Sequence, residues 1–253
     1  MISCILAVKN RTDRLEQMLP TWTKISSIKD FVIVDWASDE PIINSDIVKK
    51  QIELYNIKVI RVEDEKYYYR CLALNLASRH TDSKNKILLK LDVDYLNKDE
   101  SWLDYQKIKN GELIDYFITG CATFYSGSMG FILINKKHFG QGYNENLKPI
   151  WGYEDEDLYN RVAQQKIEIK DWWQEFKSLQ RVIFFDIERY ITHIPHDNKL
   201  RYIHTKGQIN ADFRPNIKIS REQPIWQPQK YECLYECKNY TKYKRIYKNL
   251  RQM

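Results

Sequence analysis

The sequence has no apolar run long enough to cross a membrane. A membrane-spanning helix needs about 18 to 20 consecutive apolar residues, and no such run occurs among the 253 residues. The N-terminus lacks a basic leader, and its first apolar run ends at Lys9, which is too short for a secretory signal peptide. We therefore expect a protein of the cytoplasm, or of a membrane face open to it.

Regularly spaced cysteines are also missing. The cysteines are odd in number, scattered along the chain and without a Cys-x-x-Cys pair. Disulfide frameworks and zinc sites both need such regular spacing, so neither is expected. We predict that the cysteines are reduced and serve as packing residues. They are Cys4, Cys71, Cys121, Cys233 and Cys237.

The positive charge is concentrated near the C-terminus. The net charge is +6, and residues 238–253 contain six lysines and arginines with no acid, so the rest of the chain is close to neutral. Tyr240, Tyr243 and Tyr247 recur at helical spacing. We predict a basic, helical, tyrosine-rich extension over residues 206–253, which suits either an anionic membrane surface or packing on the domain.

Short apolar runs alternate with segments of helical periodicity in the first half of the chain. Strands are predicted at residues 3–8, 31–36, 58–62 and 86–91, with helices at 13–22, 47–55 and 69–79 between them. This alternation predicts an α/β, Rossmann-like fold with a mainly parallel sheet between helices. We expect one domain over residues 1–205, with a nucleotide-binding half (1–96) and a catalytic half (97–205).

The catalytic half has a less regular pattern. We predict helices over residues 102–109 and from residue 154 onwards, and strands over 116–123, 129–135 and 182–186.

Two aspartates, Asp92 and Asp94, follow the fourth predicted strand. Ligands of open α/β sheets bind beyond the carboxyl ends of the strands, which is where these side chains would lie. Neighbouring carboxylates repel each other, so a cation between them is expected, and a divalent metal is the simplest choice. A bare Asp-x-Asp is more often a solvated turn, so the surrounding sequence has to decide between the two.

A second acidic cluster, residues 154–157, begins a predicted helix directly after Trp151 and Tyr153. Acids in the first turn of a helix stabilise it by up to about 1 kcal/mol each. Four acids in a row exceed what capping needs. The cluster therefore favours a polar pocket with an aromatic wall, as in sugar-binding sites, over a simple cap.

Two histidines, His193 and His196, lie close together near the end of the catalytic half. Histidines near a carboxylate pair suit metal binding, although a single histidine is more often a packing or surface residue. A histidine ligand favours Mn²⁺ over Mg²⁺, because Mg²⁺ prefers an all-oxygen shell.

Together these segments resemble the GT-A fold of nucleotide-sugar glycosyltransferases. The closest resemblance is to the β1,4-galactosyltransferase group and its chondroitin-type and polypeptide N-acetylgalactosaminyltransferase relatives, over roughly residues 2–196 in the family's order. The most specific segment is 151–161, which is similar to Trp-Gly-Trp-Gly-Gly-Glu-Asp-Asp-Asp-Ile-Phe-Asn-Arg but two residues shorter in the turn. Residues 7–11 are similar to the group's Pro-Phe-Arg-Asn-Arg, and 69–75 to its Phe-Asn-Arg-Ala-Lys-Leu-Leu-Asn.

The resemblance implies a role for each of these residues. Asp155 would be the catalytic base, and Trp151, Tyr153 and Glu154 would contact sugars. The metal ligands would be Asp94 and His193, with Asp92 or His196 as further candidates. The donor and nucleotide contacts would be Ala7, Lys9, Asn10, Arg11, Asp35, Arg70, Asn75, Asp92 and Gly130.

The implied activity is metal-dependent, inverting transfer of a hexose from a UDP-sugar to a hydroxyl acceptor. The hexose would be Gal, GalNAc, Glc or GlcNAc, the acceptor a glycan, glycolipid or glycoprotein, and the cofactor Mn²⁺ or Mg²⁺. No nucleic-acid partner is expected, and peripheral membrane contact would run through the basic extension.

Two other functions fit the sequence less well than hexose transfer. A nucleotidyltransferase on a similar sheet usually carries a glycine-rich phosphate loop after the first strand, whereas residues 9–13 contain no glycine. A basic module that binds nucleic acid or a membrane surface would leave both acidic clusters unexplained.

Overall fold

The computed structural model of this chain describes residues 1–104, 117–119, 130–149, 152–162, 182–184, 189–194, 214–223 and 225–246. Within these ranges, nine strands form one mixed sheet and two form a separate pair. No helix in these ranges is long and apolar enough to cross a membrane. The strands are β1 Ile2–Val8, β2 Ile28–Trp36, β3 Ile57–Glu63, β4 Ile87–Lys90, β5 Tyr95–Asn97, β6 Phe117–Thr119, β7 Ile132–Asn135, β8 Val182–Phe184, β9 Ile191–His193, β10 Tyr231–Cys237 and β11 Tyr240–Arg245. The helices are α1 Thr12–Trp22, α2 Asp46–Leu54, α3 Arg70–Arg79, α4 Lys136–Phe139, α5 Glu154–Val162 and α6 Arg214–Glu222.

The centre of the sheet confirms the predicted α/β architecture. β1 pairs in parallel with β2 and β4, and β3 pairs in parallel with β2. The helices α1, α2 and α3 alternate with these strands along the chain, as the sequence pattern predicts. Because the four strands are parallel, their carboxyl ends meet at one edge of the sheet, and the loops that follow them are neighbours.

Both faces of the central sheet are buried, which explains its nearly continuous apolar runs. On β1, Cys4 and Leu6 belong to the apolar cluster that contains Trp22 of α1. Ile5 points the other way and belongs to the cluster that contains Leu74 of α3. Side chains alternate between the two faces along a strand, so each strand contributes to both clusters.

The second half of the chain extends the sheet mainly with antiparallel pairs. β7 is antiparallel to β4, β6 is antiparallel to β7, and β8 pairs in parallel with β6. The predicted strands in this half are confirmed where they are described, as β6, β7 and β8. A 3-10 turn at Glu100–Asp104 occupies the start of the helix predicted over 102–109, whose remainder lies outside the described residues.

The small sheet places His193 beside the loop after β4. β5 and β9 are antiparallel, and Tyr95 lies opposite His193 in their register. The amide of Ile194 donates a hydrogen bond of 2.7 Å to the carbonyl oxygen of Asp94. His193 is distant in sequence from the Asp92-Val93-Asp94 turn, but these contacts hold it next to that turn.

The C-terminal segment is a β-hairpin, so the prediction of a basic helix there is wrong. β10 and β11 pair antiparallel, and β11 pairs in parallel with β3 at the edge of the sheet. Thr241 and Arg245 are buried, and Tyr243 packs on the cluster that contains α3. The pattern thus has a period of two, and β-branched and aromatic residues favour strands. These preferences outweigh the helical spacing of the tyrosines, of which Tyr247 lies outside the described residues.

The cations of β11 face the acids at the end of β3. This pairing neutralises much of the charge that made the C-terminal segment look like an isolated basic surface. The predicted boundary between residues 205 and 206 lies outside the described residues, so the domain division stays a prediction. The pairs, with their N to O distances, are Lys242 with Glu63 at 3.1 Å, Lys244 with Asp64 at 2.9 Å and Arg245 with Glu65 at 2.6 Å.

The cysteines follow the packing prediction only in part. Cys4 and Cys71 are buried and free, as expected. Cys233 and Cys237 are exposed on β10, so for them the prediction is wrong. β10 is the last strand in the order of the sheet, and its residues from Glu232 to Cys237 are exposed. Cys121 lies outside the described residues.

Replacing Arg245 should destabilise the whole domain. Its side chain is buried, its guanidinium lies 2.6 Å from the Glu65 carboxylate, and it stacks 4.4 Å over the Tyr69 ring. Removing one partner of a buried ion pair typically costs about 3 to 5 kcal/mol. We expect Arg245→Met to lower the free energy of unfolding by about 3 kcal/mol, measured by urea denaturation.

Lys244→Met is the matched control, because Lys244 is exposed and pairs with Asp64 at the surface. We expect it to change stability by less than about 1 kcal/mol. Equal losses in the two variants would contradict a structural role for the Arg245 pair.

Candidate active site

The end of β4 presents a lysine and an aspartate on one face of the sheet. Lys90 and Asp92 lie two residues apart and share the side of Leu88, which belongs to the cluster containing α3. Lys90 is 1% exposed, and its Nζ lies 3.0 Å from Oδ1 of Asp92. The buried strand that leads into Asp92 and Asp94 is therefore present as predicted, with a cation of its own.

Arg70, the first residue of α3, joins the end of β4 to the start of α5. Its Nη2 donates a short hydrogen bond to Oδ1 of Asp92, and its Nη1 donates one of 2.6 Å to Oε1 of Glu154. The same Nη2 lies 3.8 Å from Oδ2 of Asp155. Residues 84 positions apart in sequence, Arg70 and Glu154, thus meet at one edge of the sheet.

The start of α5 is set by an unusual turn. Gly152 has a φ of 95° and Tyr153 a φ of 74°, in a region that bulky residues rarely adopt. Tyr153 is buried, and its hydroxyl forms a hydrogen bond with Ser220 of α6. The predicted sugar-stacking residue Tyr153 therefore lies between two helices, where it fixes the direction in which α5 begins.

One oxygen of Asp155, Oδ1, lies beside a hydrogen-bond donor and a cation. The Tyr143 hydroxyl donates a hydrogen bond of 3.0 Å to Oδ1, and the Nζ of Lys90 lies 3.5 Å from the same atom. Asn75 in turn holds Tyr143, because the side-chain oxygen of Asn75 accepts a hydrogen bond from the backbone amide of Tyr143. Asn75, predicted to contact the donor, thus acts in this structure as the anchor of the loop that carries Tyr143.

Asp94 lies with Arg11 and His193 at the other side of the turn. Oδ2 of Asp94 is 3.4 Å from Nη1 of Arg11 and 3.3 Å from Nε2 of His193. An oxygen and a nitrogen donor at this spacing suit an ion such as Mn²⁺, which accepts mixed ligands. Within the described residues, no group of three acid, histidine or cysteine side chains is arranged around a metal position.

The other two candidate metal ligands are Asp92 and His196. Asp92 is engaged by Arg70 and Lys90, so it stands beside the Asp94 and His193 pair rather than within it. His196 lies outside the described residues, as does the predicted sugar contact Trp151.

Lys9 and Asn10 form hydrogen bonds that connect the loops at the ends of neighbouring strands. The Lys9 ammonium donates hydrogen bonds to the carbonyl oxygens of Trp36, Ala37 and Glu65, at 3.2, 2.6 and 2.9 Å. The side chain of Asn10 accepts a hydrogen bond from the Asp39 amide. Lys9 is buried, so in this structure it braces the loops of the predicted nucleotide side. Ala7 pairs with Val34 in the neighbouring strand and is partly exposed.

Asp35 is fully buried at the end of β2. Its Oδ2 accepts a hydrogen bond of 2.6 Å from Arg61, and its Oδ1 accepts one of 3.1 Å from the Ser38 amide. The carboxylate predicted to contact uracil is thus used to hold the loop after β2 in place.

Gly130 lies against Asp92, close to where the resemblance predicts a gap for the donor. A Cβ atom at this position would be 2.1 Å from Oδ2 of Asp92 and 2.8 Å from the Tyr95 hydroxyl. Glycine is therefore required if Asp92 is to keep its orientation.

The sequence reasoning missed Lys90 and Tyr143. A signal for Lys90 is visible, since it is the one charged residue within the apolar run 87–91. Tyr143 has no comparable signal, because a tyrosine in a polar loop is common and its hydroxyl reaches Asp155 only through the fold.

The surroundings shift the pKa values of the carboxyl groups in the site in different directions. Burial would raise the pKa of Asp92, but Arg70 and Lys90 lower it below its usual value. For Glu154, burial outweighs the effect of Arg70 and raises the pKa. Burial, followed by the charges of Glu154 and Asp155, raises the pKa of Glu156 to about 8.

The sequence of the second half matches a known family. Residues 119–197, less than half of the chain, match the family model described as the N-terminal domain of galactosyltransferase. This segment includes Gly130, α5 with Asp155, and His193. A search of curated protein sequences found no match to this chain.

Several solved structures share the fold at low sequence identity. The catalytic domain of Drosophila β1,4-galactosyltransferase 7, in complex with xylobiose, has a TM-score of 0.57 and 17% identity over 97% of this chain and 93% of that chain. A mutant of that enzyme, in complex with manganese, UDP-Gal and xylobiose, has a TM-score of 0.56 and 18% identity over the same shares. TarS 1–349 from S. aureus has a TM-score of 0.56 and 15% identity over 76% of this chain and 60% of that chain. The predicted GT-A fold and the resemblance to the galactosyltransferase group are confirmed.

Glu156 should make stability fall as pH rises from about 5 to about 8. A carboxyl group whose pKa is higher in the folded protein (about 8) than in the unfolded chain favours folding while it is protonated. This contribution is complete below the unfolded pKa of about 4.3 and is lost as pH rises through the folded value. Glu156→Gln removes the ionisation, so its stability relative to the original protein should rise by at least about 1 kcal/mol between roughly pH 5 and pH 8.

Urea denaturation across this pH range measures the effect, with Glu53→Gln on the exposed side of α2 as the control. Parallel pH dependences for Glu156→Gln and the original protein would contradict the raised pKa.

Proposed function

We propose that this chain, a galactosyltransferase-like glycosyltransferase of the GT-A fold, moves a hexose from a UDP-sugar to a hydroxyl acceptor with inversion. The observation that carries this proposal is the double contact of Arg70. It joins Asp92 after β4 to Glu154 and Asp155 at the start of α5. The carboxylate expected beside a donor and the two carboxylates expected beside an acceptor therefore share one cation.

The donor side requires positive charge near the departing diphosphate. Arg70 and Arg11 supply fixed guanidinium groups at the two ends of the Asp92 to Asp94 turn. A divalent metal, held by Asp94 and His193, would act when bound as a Lewis acid that neutralises charge on the diphosphate. Asp92 would orient Arg70 and stand next to the ribose or the metal.

The acceptor side requires a base, and Asp155 fits that role. As the acceptor oxygen forms its bond to the anomeric carbon, its proton passes to the Asp155 carboxylate. The bond between the anomeric carbon and the β-phosphate oxygen breaks, and its electron pair leaves with UDP. A single displacement of this kind inverts the anomeric centre and needs no covalent intermediate.

The sugar contacts follow from the same geometry. Glu154 reaches Arg70 with one oxygen at 2.6 Å, which leaves its other oxygen to accept hydrogen bonds from sugar hydroxyls. Tyr153 shapes the entry to α5 from its buried position. Trp151, one residue before Gly152, is the aromatic group that we propose to stack on a sugar ring.

The choice of substrates is supported by the Drosophila enzyme. That enzyme binds UDP-Gal, manganese and xylobiose in its solved complex. A UDP-hexose and a glycan, free or on a lipid or protein, are accordingly the substrate classes that we propose here. Contact of the C-terminal hairpin with a membrane is part of the same proposal, although three of its cations are paired with β3 and the loop after it.

Asp94→Ala should abolish metal-dependent turnover. Purified protein is incubated with Mn²⁺ and a panel of UDP-hexoses, with release of UDP as the readout. We expect one UDP-hexose to be turned over, and Asp94→Ala to lower kcat/KM by about a thousandfold, because charge on the leaving group loses its stabilisation. Asp99→Ala, exposed five residues further on, is the control. Full activity of Asp94→Ala, or release of pyrophosphate, would contradict the proposal.

Asp155→Asn should separate binding from transfer. The amide cannot take the acceptor proton, and loss of a general base typically costs about 10²- to 10⁴-fold in rate. UDP and Mn²⁺ binding, measured by calorimetry, should stay within about threefold because Asp155 lies on the acceptor side. Asp46→Asn, at the exposed start of α2, is the control. Normal transfer by Asp155→Asn would remove Asp155 from the role of base.

A further inference from the structure

Lys90 takes no part in the reaction described so far, although it lies against both sides of the site. We propose that Lys90 is a positioning residue that decides which oxygen of Asp155 accepts the acceptor proton. This inference rests on the proposed function. Its starting point is the location of the ammonium, 3.0 Å from Oδ1 of Asp92 and 3.5 Å from Oδ1 of Asp155.

The burial of Lys90 needs an explanation. The side chain is 1% exposed and belongs to the central strand pair of the sheet, between the apolar residues Leu89 and Leu91. An ammonium without partners in such surroundings would cost several kcal/mol. Lys90 is therefore tolerated because it lies between two carboxylates. Its charge in turn reduces the repulsion between those carboxylates.

The contacts of Asp155 are asymmetric. Oδ1 accepts the hydrogen bond from Tyr143 at 3.0 Å and faces Lys90 at 3.5 Å. Oδ2 lies 3.8 Å from Nη2 of Arg70, which is beyond hydrogen-bond distance. Rotation of the carboxylate would take Oδ1 away from the Tyr143 hydroxyl and from the Lys90 ammonium. Lys90 and Tyr143 together thus keep Oδ2 as the oxygen presented to the acceptor hydroxyl.

Lys90 also fixes the distance between donor wall and base. Oδ1 of Asp92 forms ion pairs with both Nζ of Lys90 and Nη2 of Arg70. Asp92 on the loop after β4 and Asp155 on α5 are then linked twice, once through each cation. Because β4 is a central strand of the sheet, this link ties the position of the base to the buried centre of the fold.

The consequence for the reaction is geometric. Proton transfer requires a heavy-atom approach of about 3 Å, and misplacement of a catalytic group by about 1 Å can cost around 100-fold in rate. Without Lys90, Tyr143 alone holds Oδ1 of Asp155, and the carboxylate turns more readily towards Arg70. Donor binding depends mainly on Asp94, Arg11 and His193, and Asp92 keeps its contact with Arg70, so donor affinity should change little.

The test compares Lys90→Met with Lys86→Met, whose exposed lysine lies four residues earlier, just before β4. We expect Lys90→Met to lower kcat about 10- to 100-fold, with the Kd for UDP and the donor KM within about threefold of the original protein. Lys86→Met should match the original protein. If Lys90→Met does not fold, Lys90→Gln takes its place, since its amide keeps a polar contact with Asp92.

A double variant separates positioning from general disruption. If Lys90 acts through Asp155, adding Lys90→Met to Asp155→Asn should lower the residual rate by less than about twofold. An undiminished further loss in that background, or a matching loss of UDP affinity, would overturn the positioning role. Failure of the proposed function looks different, because the original protein itself would then turn over no UDP-hexose, and the role of Lys90 in the reaction would be overturned with it.

Discussion

A cluster of carboxylates at the edge of the sheet exists because one buried cation and one half-buried cation compensate it. Asp92, Glu154 and Asp155 approach one another around Arg70 and Lys90. Without those cations the carboxylates would repel each other, and burial would favour their neutral forms. Much of the tertiary structure follows from this requirement. α3 has to begin beside the end of β4 to bring Arg70 there, and α5 has to start with a left-handed turn to bring its acids to meet it.

The division between donor side and acceptor side follows from the same contacts. Asp94, Arg11 and His193 lie around one end of the short turn after β4, while Asp92 and Lys90 face α5 at the other end. Two aspartates separated by one residue therefore have different neighbours and different roles in the proposed reaction. Several residues predicted to touch the nucleotide act one layer further out, because Lys9, Asp35 and Asn75 are used to brace the loops that surround it.

The sequence was sufficient for the parts of the fold that depend on local periodicity. The runs around β1 to β4 and the helices between them predict the central sheet, and the acids at 154–157 predict the start of α5. It was not sufficient where a pattern suits two periods, as in β11, whose tyrosines fit a helix as well as a strand. Nor could it show that Lys90 and Tyr143 reach Asp155, because those contacts depend on long-range packing rather than on neighbours in sequence.

The position of β11 has a consequence for how the chain reaches its native state. β11 completes the sheet next to β3, and the ion pair that secures it joins residues 180 positions apart in sequence. Contacts of such separation close late, because a long loop must be ordered before they form. During synthesis, β3 would have an open edge until the hairpin emerges from the ribosome, and open edges invite pairing with other chains. We therefore expect shortened chains that end before β10 to be recognised by chaperones or to aggregate.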